Sequence, residues 1–220
     1  LSRALIAAAR GNDERNLAHI AQMLAEAGFR PEPGQSILSL EDEMRCTIAE
    51  ELLRCKATVN AVDDRQQSAL HWASKCGFEK IVNLLIAAGA QVNARDDVSR
   101  SSLFWASTKG VVGLLCRAKA DLAAVDSLGM PILDTHCTSG DVDVALALLK
   151  AGANVNQQRS DVGGSAIFMS AQSGDMASTS VLLNAKAVVN ICKRDGASPL
   201  GMACLGGHTE VVELLLAAKA

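Results

Sequence analysis

Aromatic residues and proline are scarce in this chain of 220 residues. It contains no tyrosine, four phenylalanines, two tryptophans and four prolines, although 49% of its residues are hydrophobic. The apolar side chains are therefore mostly those of alanine, leucine and valine. Such side chains suit many thin, closely packed helices better than one thick aromatic core.

The chain also lacks an excess of charge of one sign and a long hydrophobic run. Its net charge is -3, and its lysines and arginines are scattered, so there is no basic patch for nucleic acid and no polybasic segment for a membrane surface. No apolar run reaches the roughly 18 to 20 residues that span a bilayer, and the N-terminus has no secretory signal pattern. We expect neither nucleic-acid binding nor membrane insertion.

The cysteine content does not indicate a disulfide framework. The seven cysteines are odd in number and irregularly spaced, which favours reduced, mostly buried thiols in an intracellular protein. We expect a monomer located in the cytoplasm or the nucleus.

Motifs for catalysis or metal binding are missing as well. Gly196-Ala-Ser198-Pro-Leu200 is half of a nucleophile elbow, but Leu200 replaces the second glycine, so Ser198 is better explained as a helix cap. The close His and Cys pairs, His136-Cys137 and Cys204/His208, supply two ligands where zinc needs three or four. We predict core packing for these pairs and no catalytic residue, metal or cofactor.

An internal repeat organises the sequence. The intervals between the apolar anchors Leu70, Leu103, Leu133, Ile167 and Leu200 are 33, 30, 34 and 33 residues. The clearest copy contains Ser68-Ala-Leu-His71, Gly77, Ile81-Val82, Leu84-Leu85, Gly89-Ala90 and Val92-Asn93.

This period and opening resemble the ankyrin repeat. The resemblance implies an all-α fold, an α-solenoid of helix-turn-helix units joined by hairpin-like loops, with about seven repeats, some of them degenerate. We interpret residues 1–220 as a single array, with degenerate repeats and a cap in 1–66 and clear repeats in 67–220. In the cap, we predict a longer second helix over residues 13–28 and an extended segment over residues 29–34. Because the sequence begins at Leu1 and stops within a repeat, we expect it to be part of a longer chain.

Each residue type that recurs between the repeats has a predicted local role. Hydroxyls are placed to cap the first helices at Ser68, Ser101, Ser165 and Ser198. Glycines are expected to end those helices with positive φ at positions 77, 110, 140, 174 and 207. Lysines replace the usual glycine after the second helix, where a left-handed conformation is expected, at Lys56, Lys119, Lys186 and Lys219. Acidic pairs, Asp63-Asp64 and Asp96-Asp97, are predicted to be solvated turn residues.

One clear repeat, within 101–120, is shortened. The unit anchored at Leu103 has three residues fewer than its neighbours, and we place the loss between Gly110 and Leu114, in the second helix. This unit is predicted to be the least stable of the array.

The resemblance implies that the chain binds another protein through hairpin tips and through the concave face of the first helices. Carried over by position, the tip candidates include Asp64, Arg65, Asp97, Arg100, Met130, Lys193 and Arg194, and the helix candidates include Lys75, Thr108, Lys109, Thr138, Gln172 and Leu205. The alternative function is a regulatory or targeting ankyrin segment of a larger enzyme or channel, such as a kinase or a ubiquitin ligase.

Trp72 and Trp105 are the only tryptophans, and they occupy the same place in neighbouring repeats. Tryptophan is enriched in binding hot spots, so the pair is a candidate partner contact; the alternative is that both rings fill space between helices.

The resemblance also implies a possible modification. Asn93 and Asn156, like Asn60 and Asn190, match the Val-Asn step that an asparaginyl hydroxylase modifies in some ankyrin repeats. The alternative is a structural asparagine that bonds the backbone.

Overall fold

The computed structural model describes residues 42–54 and 56–220, together with Ile6. Within these residues the chain forms ten α-helices and one 3₁₀ helix, and it has no β-strand. The predicted N-terminal cap, including 13–28 and 29–34, lies outside the described residues. The α-helices are α1 Asp42–Arg54, α2 Ala69–Cys76, α3 Glu79–Ala87, α4 Lys109–Arg117, α5 Ile132–Thr138, α6 Val142–Lys150, α7 Ala166–Ser173, α8 Met176–Asn184, α9 Pro199–Leu205 and α10 Thr209–Ala217, and the 3₁₀ helix is Ser102–Trp105.

The chain divides into two compact units, and the first comprises Leu1–Asp97 and Ser101–Ala120. In this unit α2 packs against the 3₁₀ helix and α3, and α3 also contacts α1 and α4. The fully buried side chains include Leu70, Ile81, Leu85, Leu103 and Leu115. Burying each of them contributes about 1.5–3 kcal/mol.

The second compact unit comprises Val98–Arg100 and Asp121–Ala220. The first helices of its repeats pack in the order α5, α7, α9, and the second helices pack in the order α6, α8, α10. Its most buried large side chains are Ile132, Leu148, Ile167 and Phe168. A core of adjoining helix pairs is the packing that the repeat pattern predicts, since one pair alone does not bury its apolar face.

Four of the five glycines expected to end a first helix do so. Gly77, Gly140, Gly174 and Gly207 have φ of 75°, 75°, 73° and 70°. Gly77 is constrained twice, because a Cβ there would lie 2.9 Å from the Thr108 methyl group and 3.0 Å from the Ser107 hydroxyl. The prediction is wrong for Gly110, which lies inside α4.

The four lysines adopt the expected left-handed conformation. Their φ values are 62° at Lys56, 63° at Lys119, 64° at Lys186 and 67° at Lys219. For a residue with a Cβ this conformation costs about 1–2 kcal/mol. A cation near a helix C-terminus recovers roughly 0.3–1 kcal/mol of that cost.

The serines predicted to cap first helices all stand directly before a helix. Ser198 uses its hydroxyl in the expected way, accepting the N–H of Gly201 over 3.0 Å. Ser68 forms a capping box with His71, in which Nδ1 of His71 accepts the N–H of Ser68 over 3.1 Å. The hydroxyls of Ser101 and Ser165 are buried and have no hydrogen-bond partner.

The shortened repeat loses its residues from the first helix and not from the second. Helix α4 has nine residues, as α3 has. The first helix is instead reduced to the four-residue 3₁₀ helix, where α2 has eight residues. The sequence-based placement of the gap after Gly110 is therefore wrong. The reason is that Val111 and Val112 fill the two buried positions that Ile81 and Val82 occupy in α3, which fixes the register of α4.

The six described cysteines are free thiols. The expectation that most of them are buried is wrong. Only Cys137 is buried; Cys46, Cys76 and Cys116 are half-buried, and Cys192 and Cys204 are exposed. Burial, together with the charges of Asp134 and Asp175, raises the pKa of Cys137 to about 12, so that this thiol is unreactive.

None of the described helices combines the length and the hydrophobicity that crossing a membrane requires.

Candidate protein-interaction surface

Each of the two tryptophans is held by a carboxylate nine residues earlier in the chain. Trp72, on α2, donates its indole N–H to Oδ2 of Asp63 over 3.1 Å. Trp105, the last residue of the 3₁₀ helix, donates to Oδ2 of Asp96 over 3.0 Å. Both rings are half-buried, so the fold fixes their orientation while leaving part of each ring accessible.

The same carboxylates shape the hairpins that precede the helices. Oδ1 of Asp63 accepts the backbone N–H groups of Arg65 and Gln67, each over 2.9 Å. Asp63 is half-buried and Asp96 is buried, so the prediction that both are solvated turn residues is wrong. Their sequence neighbours, Asp64 and Asp97, are exposed as expected.

The ammonium of Lys75 lies over the rings of both tryptophans. Its Nζ lies 5.1 Å from the centre of the Trp72 ring and 4.9 Å from the centre of the Trp105 ring. The side chain is exposed, and no described carboxylate forms an ion pair with it. Each cation–π contact at such a site contributes about 0.5–1 kcal/mol. We call Trp72, Lys75 and Trp105 the indole clamp.

The three clamp residues were identified one by one from the sequence, but their arrangement around the Lys75 ammonium was not predicted. It proposed the tryptophan pair and Lys75 as contacts, whereas the supporting role of Asp63 and Asp96 was missed. A usable signal exists, because the separation of nine residues between an aspartate and a tryptophan recurs in two successive repeats. The buried part of each ring packs within the fold, and the exposed part is accessible to a partner.

Successive hairpins are joined by backbone hydrogen bonds within each compact unit. In the first unit the N–H of Asp97 donates to the carbonyl of Arg65 over 3.1 Å. In the second, the N–H of Ser127 donates to the carbonyl of Val98 over 2.9 Å. The side chains of Val98 and Leu128 are 39% and 63% exposed, so these two joined tips present apolar surface.

Arg100 and Met130 are tied into the hairpin structure. Nη2 of Arg100 lies 3.0 Å from Oδ2 of Asp126, whose side chain is 1% exposed. Oδ1 of Asp126 accepts the backbone N–H groups of Leu128 and Met130 over 2.9 and 3.0 Å. Arg100 therefore balances the charge of a buried carboxylate, which competes with any contact to a partner.

The last two tip candidates contact their own unit in different ways. Nζ of Lys193 lies 4.6 Å from the centre of the Phe168 ring. Nη2 of Arg194 donates to the backbone carbonyl of Ser160 over 2.8 Å, and its side chain is exposed.

Two helix candidates lie elsewhere than predicted. Thr108 caps α4, where its hydroxyl accepts the N–H of Val111 over 3.2 Å. Lys109 is the first residue of α4. Both belong to a second helix because the shortened repeat loses three residues before them, so the carry-over from Lys75 by a fixed period was wrong. The candidates Thr138, Gln172 and Leu205 do lie on first helices.

The asparagines proposed for hydroxylation join consecutive repeats. Nδ2 of Asn93 donates to the carbonyl of Lys119 over 3.1 Å. Oδ1 of Asn156 accepts the N–H of Val188 over 2.8 Å. These bonds agree with a structural role for the side chains, and hydroxylation stays a prediction.

The described residues contain no group of three or more His, Cys, Asp or Glu side chains that could hold a metal. Of the close His and Cys pairs, His136 and Cys137 are buried as predicted, whereas Cys204 is exposed and His208 half-buried.

Among the described residues, Asp134 on α5 is a buried carboxylic acid with a strongly shifted pKa. It is 1% exposed, and its Oδ2 has no hydrogen-bond partner. Burial raises the pKa of this carboxyl to about 8, against the opposing effect of Arg159.

Comparison with known proteins identifies the repeat. A family model described as ankyrin repeats in three copies matches residues 2–96, 37–126 and 133–220. The mouse "Protein fem-1 homolog A-like" is 37% identical over 100 residues, 44% of this chain and 15% of that protein. The Caenorhabditis elegans "Ankyrin repeat and KH domain-containing protein mask-1" is 33% identical over 110 residues, 48% of this chain and 4% of that protein. This chain thus matches only a small part of the length of these relatives.

Solved structures show the same fold. An ankyrin repeat domain from Acinetobacter baumannii AYE has a TM-score of 0.68 and 29% identity, covering 81% of this chain and 95% of that one. The ankyrin repeat domain of Bcl-3, a member of the IkappaB family, has a TM-score of 0.73 and 20% identity, covering 82% of each chain. The predicted all-α ankyrin fold is confirmed, and the number of repeats stays a prediction.

Proposed function

Because this chain belongs to the ankyrin repeat family, we propose that it is a non-catalytic scaffold that binds another protein. Ankyrin repeats are generally protein–protein interaction modules, and typically non-catalytic ones. The observation that carries the proposal is the indole clamp. Its two tryptophans are oriented by hydrogen bonds and half-exposed, so a partner gains aromatic contact area without first having to order the rings.

Hairpin tips provide a second set of contacts in this proposal. Asp64, Arg65 and Asp97 are exposed in the first compact unit, as Arg194 is in the second. Their charged side chains suit the polar rim of an interface, which confers specificity more than affinity. Arg100 and Met130 are weaker candidates, because Arg100 pairs with Asp126 and Met130 is only partly exposed.

Partner capture with matched variants tests the proposal. The wild-type chain and a Trp72→Phe/Trp105→Phe double variant are immobilised, captured proteins are identified, and dissociation constants are measured for each. We expect a partner that binds the wild type and loses at least about 10-fold in affinity for the double variant, the loss typical of a hot spot. Lys150→Ala, at an exposed position on a second helix, is the control and is expected to retain the affinity.

The variants must remain folded for this comparison, which circular dichroism and urea denaturation check. If the double variant unfolds, the tryptophans serve packing and their role as a partner contact is rejected. A captured partner that binds the folded double variant as tightly as the wild type also rejects it.

The second candidate function is a regulatory or targeting segment of a larger enzyme or channel. It is favoured by the small share of the curated relatives that this chain matches, 15% and 4%. The complete open reading frame distinguishes the two, since a catalytic or channel domain joined to the repeats supports the second.

The same proposal holds that the protein acts inside the cell, as a monomer, and without binding nucleic acid. The net charge of -3 supports the last point. Sedimentation equilibrium tests the monomer, and fluorescence microscopy of the tagged full-length protein tests the compartment.

A further inference from the structure

The exposed ammonium of Lys75 is the most distinctive feature of the indole clamp. We propose that this ammonium binds a carboxylate of the partner, so that the partner segment carries an acidic residue with an apolar residue beside it. The inference rests on the proposed function and specifies the chemistry of the partner at the same surface.

The clamp orders a side chain that is otherwise among the most flexible. Nζ of Lys75 lies 5.1 and 4.9 Å from the centres of the Trp72 and Trp105 rings. A lysine loses much rotamer freedom when it binds a ligand. Because contacts within the fold already hold this ammonium, much of that entropic cost is met before the partner arrives.

The hydrogen-bonding capacity of this ammonium is unused. An ammonium has three N–H donors, and neither a hydrogen bond nor an ion pair of Lys75 occurs among the described residues. Aromatic faces attract the charge but accept no conventional hydrogen bond. A carboxylate oxygen is the acceptor that forms the strongest bond with such a donor.

A cationic partner group fits this place less well. The space between the indoles already holds one positive charge, so a second cation must either displace Lys75 or approach it against repulsion. The two nearby carboxylates do not reverse this preference. Asp63 accepts three N–H groups, from Arg65, Gln67 and Trp72, and Asp96 is 6% exposed and accepts the indole N–H of Trp105.

The surroundings of the ammonium define the second feature of the partner. A carboxylate that reaches Nζ of Lys75 stands beside the accessible parts of two indole rings. An apolar side chain next to the acid then contacts those rings, which removes apolar surface from water. An acidic residue flanked by an apolar one therefore binds the ammonium of Lys75 and also contacts the indole rings.

A peptide selection with a local readout tests the inference. The wild-type chain selects binders from a displayed random-peptide library that lacks tryptophan, and enriched peptides are synthesised. Their binding is followed by tryptophan fluorescence, which reports on the clamp alone because the chain has only two tryptophans and no tyrosine. Each peptide is compared with a version in which its acidic residues are replaced by the matching amides.

Two protein variants accompany the wild type. Lys75→Met keeps the length and the apolar stem of the side chain and removes the charge. Lys150→Met makes the same change at an exposed lysine, the last residue of α6, outside the clamp. We expect enriched peptides to carry Asp or Glu, to lose about 10-fold or more in affinity on amidation or with Lys75→Met, and to bind Lys150→Met as they bind the wild type.

The alternative results separate this inference from the proposed function. Peptides that change the fluorescence but carry Lys or Arg, and bind Lys75→Met at least as tightly, overturn the carboxylate assignment and leave the clamp as a contact. Peptides that change the fluorescence and bind Lys75→Met with the same affinity as the wild type also overturn the carboxylate assignment. A selection that enriches no peptide contradicts the proposed function at this surface. So does one that enriches only peptides with equal affinity for the wild type and for Trp72→Phe/Trp105→Phe, measured by titration calorimetry because this variant has no tryptophan.

Discussion

Trp105 donates its indole N–H to Oδ2 of Asp96 over 3.0 Å, and Asp96 is only 6% exposed. Trp72 forms the equivalent bond to Asp63 over 3.1 Å, but Asp63 is half-buried. The two bonds are therefore alike in geometry and unlike in their access to water. Water replaces a lost donor more easily at Asp63 than at Asp96.

This difference predicts unequal costs for the same substitution. Trp105→Phe withdraws an N–H from a buried carboxylate, and we expect it to lower the free energy of unfolding by about 1–3 kcal/mol. Trp72→Phe is expected to cost about 0.5–1.5 kcal/mol. Urea denaturation of the two single variants measures both values. Equal costs, or a larger cost for Trp72→Phe, would show that burial of the acceptor does not govern these bonds.

Asp134 predicts an unusual dependence of stability on pH. Burial raises the pKa of its carboxyl from 3.8 to about 8 in the folded chain. Between these pH values the folded form keeps a proton that the unfolded form has lost, so stability falls as the pH rises, by up to about 1.4 kcal/mol per pH unit. Below this window the carboxyl is protonated in both states, and above it the carboxyl is ionised in both.

The variant Asp134→Asn removes this titration, and we expect a flatter profile of unfolding free energy from about pH 4 to about pH 8. Asp143→Asn, at an exposed position on α6, is the matched control and should keep the wild-type slope. The profiles are measured by urea denaturation at a series of pH values. The assignment to Asp134 fails if both variants show the same slope.

The sequence predicts a feature well when that feature follows from the position of one residue in its repeat. It predicts a feature poorly when that feature depends on how several residues pack together. Gly77 and Lys119 were predicted correctly because their left-handed conformation follows from a position at the end of a helix. Gly110 was misassigned because a glycine inside a helix and a glycine after it look alike in sequence. The gap was resolved only by burial, which aligns Val111 with Ile81.

The candidate surface shows the same limit. The tryptophans and Lys75 stand at repeat positions that the family resemblance marks, so they were found one by one. The stacking of Lys75 between rings from two repeats depends on the spacing of those repeats in three dimensions. The burial of Asp96 likewise depends on neighbouring hairpins, which a turn propensity does not contain.

The ion pair of Arg100 predicts a stability role for a residue first proposed as a partner contact. Arg100→Ala leaves the nearly inaccessible carboxylate of Asp126 without its counter-ion, although two backbone N–H groups remain bound to it. We expect the free energy of unfolding to fall by about 1–3 kcal/mol. Arg65→Ala, at an exposed tip, is expected to change it by less than about 0.5 kcal/mol.

Thermal or urea unfolding of the two arginine variants decides the point. A loss for Arg65→Ala that equals the loss for Arg100→Ala would contradict the importance of the buried partner. Affinity measurements with Arg100→Ala then require correction for the unfolded fraction, because reduced binding of this variant does not by itself identify a contact.

The shortened repeat predicts a local minimum of protection against hydrogen exchange. Its 3₁₀ helix is held by the bonds from Phe104 N–H to the Ser101 carbonyl and from Ala106 N–H to the Leu103 carbonyl, over 3.0 and 3.3 Å. Hydrogen bonds in 3₁₀ helices have poorer geometry than those in α-helices. We expect the amides of Phe104 and Ala106 to exchange at least about 10-fold faster than that of Ala73 in α2, because local opening needs less free energy there.

The second helix of the same repeat provides the internal control. Because α4 is as long as α3, the amide of Leu115 should be protected as well as that of Leu85. Slow exchange at Phe104 and Ala106, uniform with that of α2, would show that the bond from Ser107 N–H to the Ser74 carbonyl, over 3.2 Å, compensates fully for the missing turn. Fast exchange throughout α4 would instead place the weakness in the second helix, where the sequence alone located it.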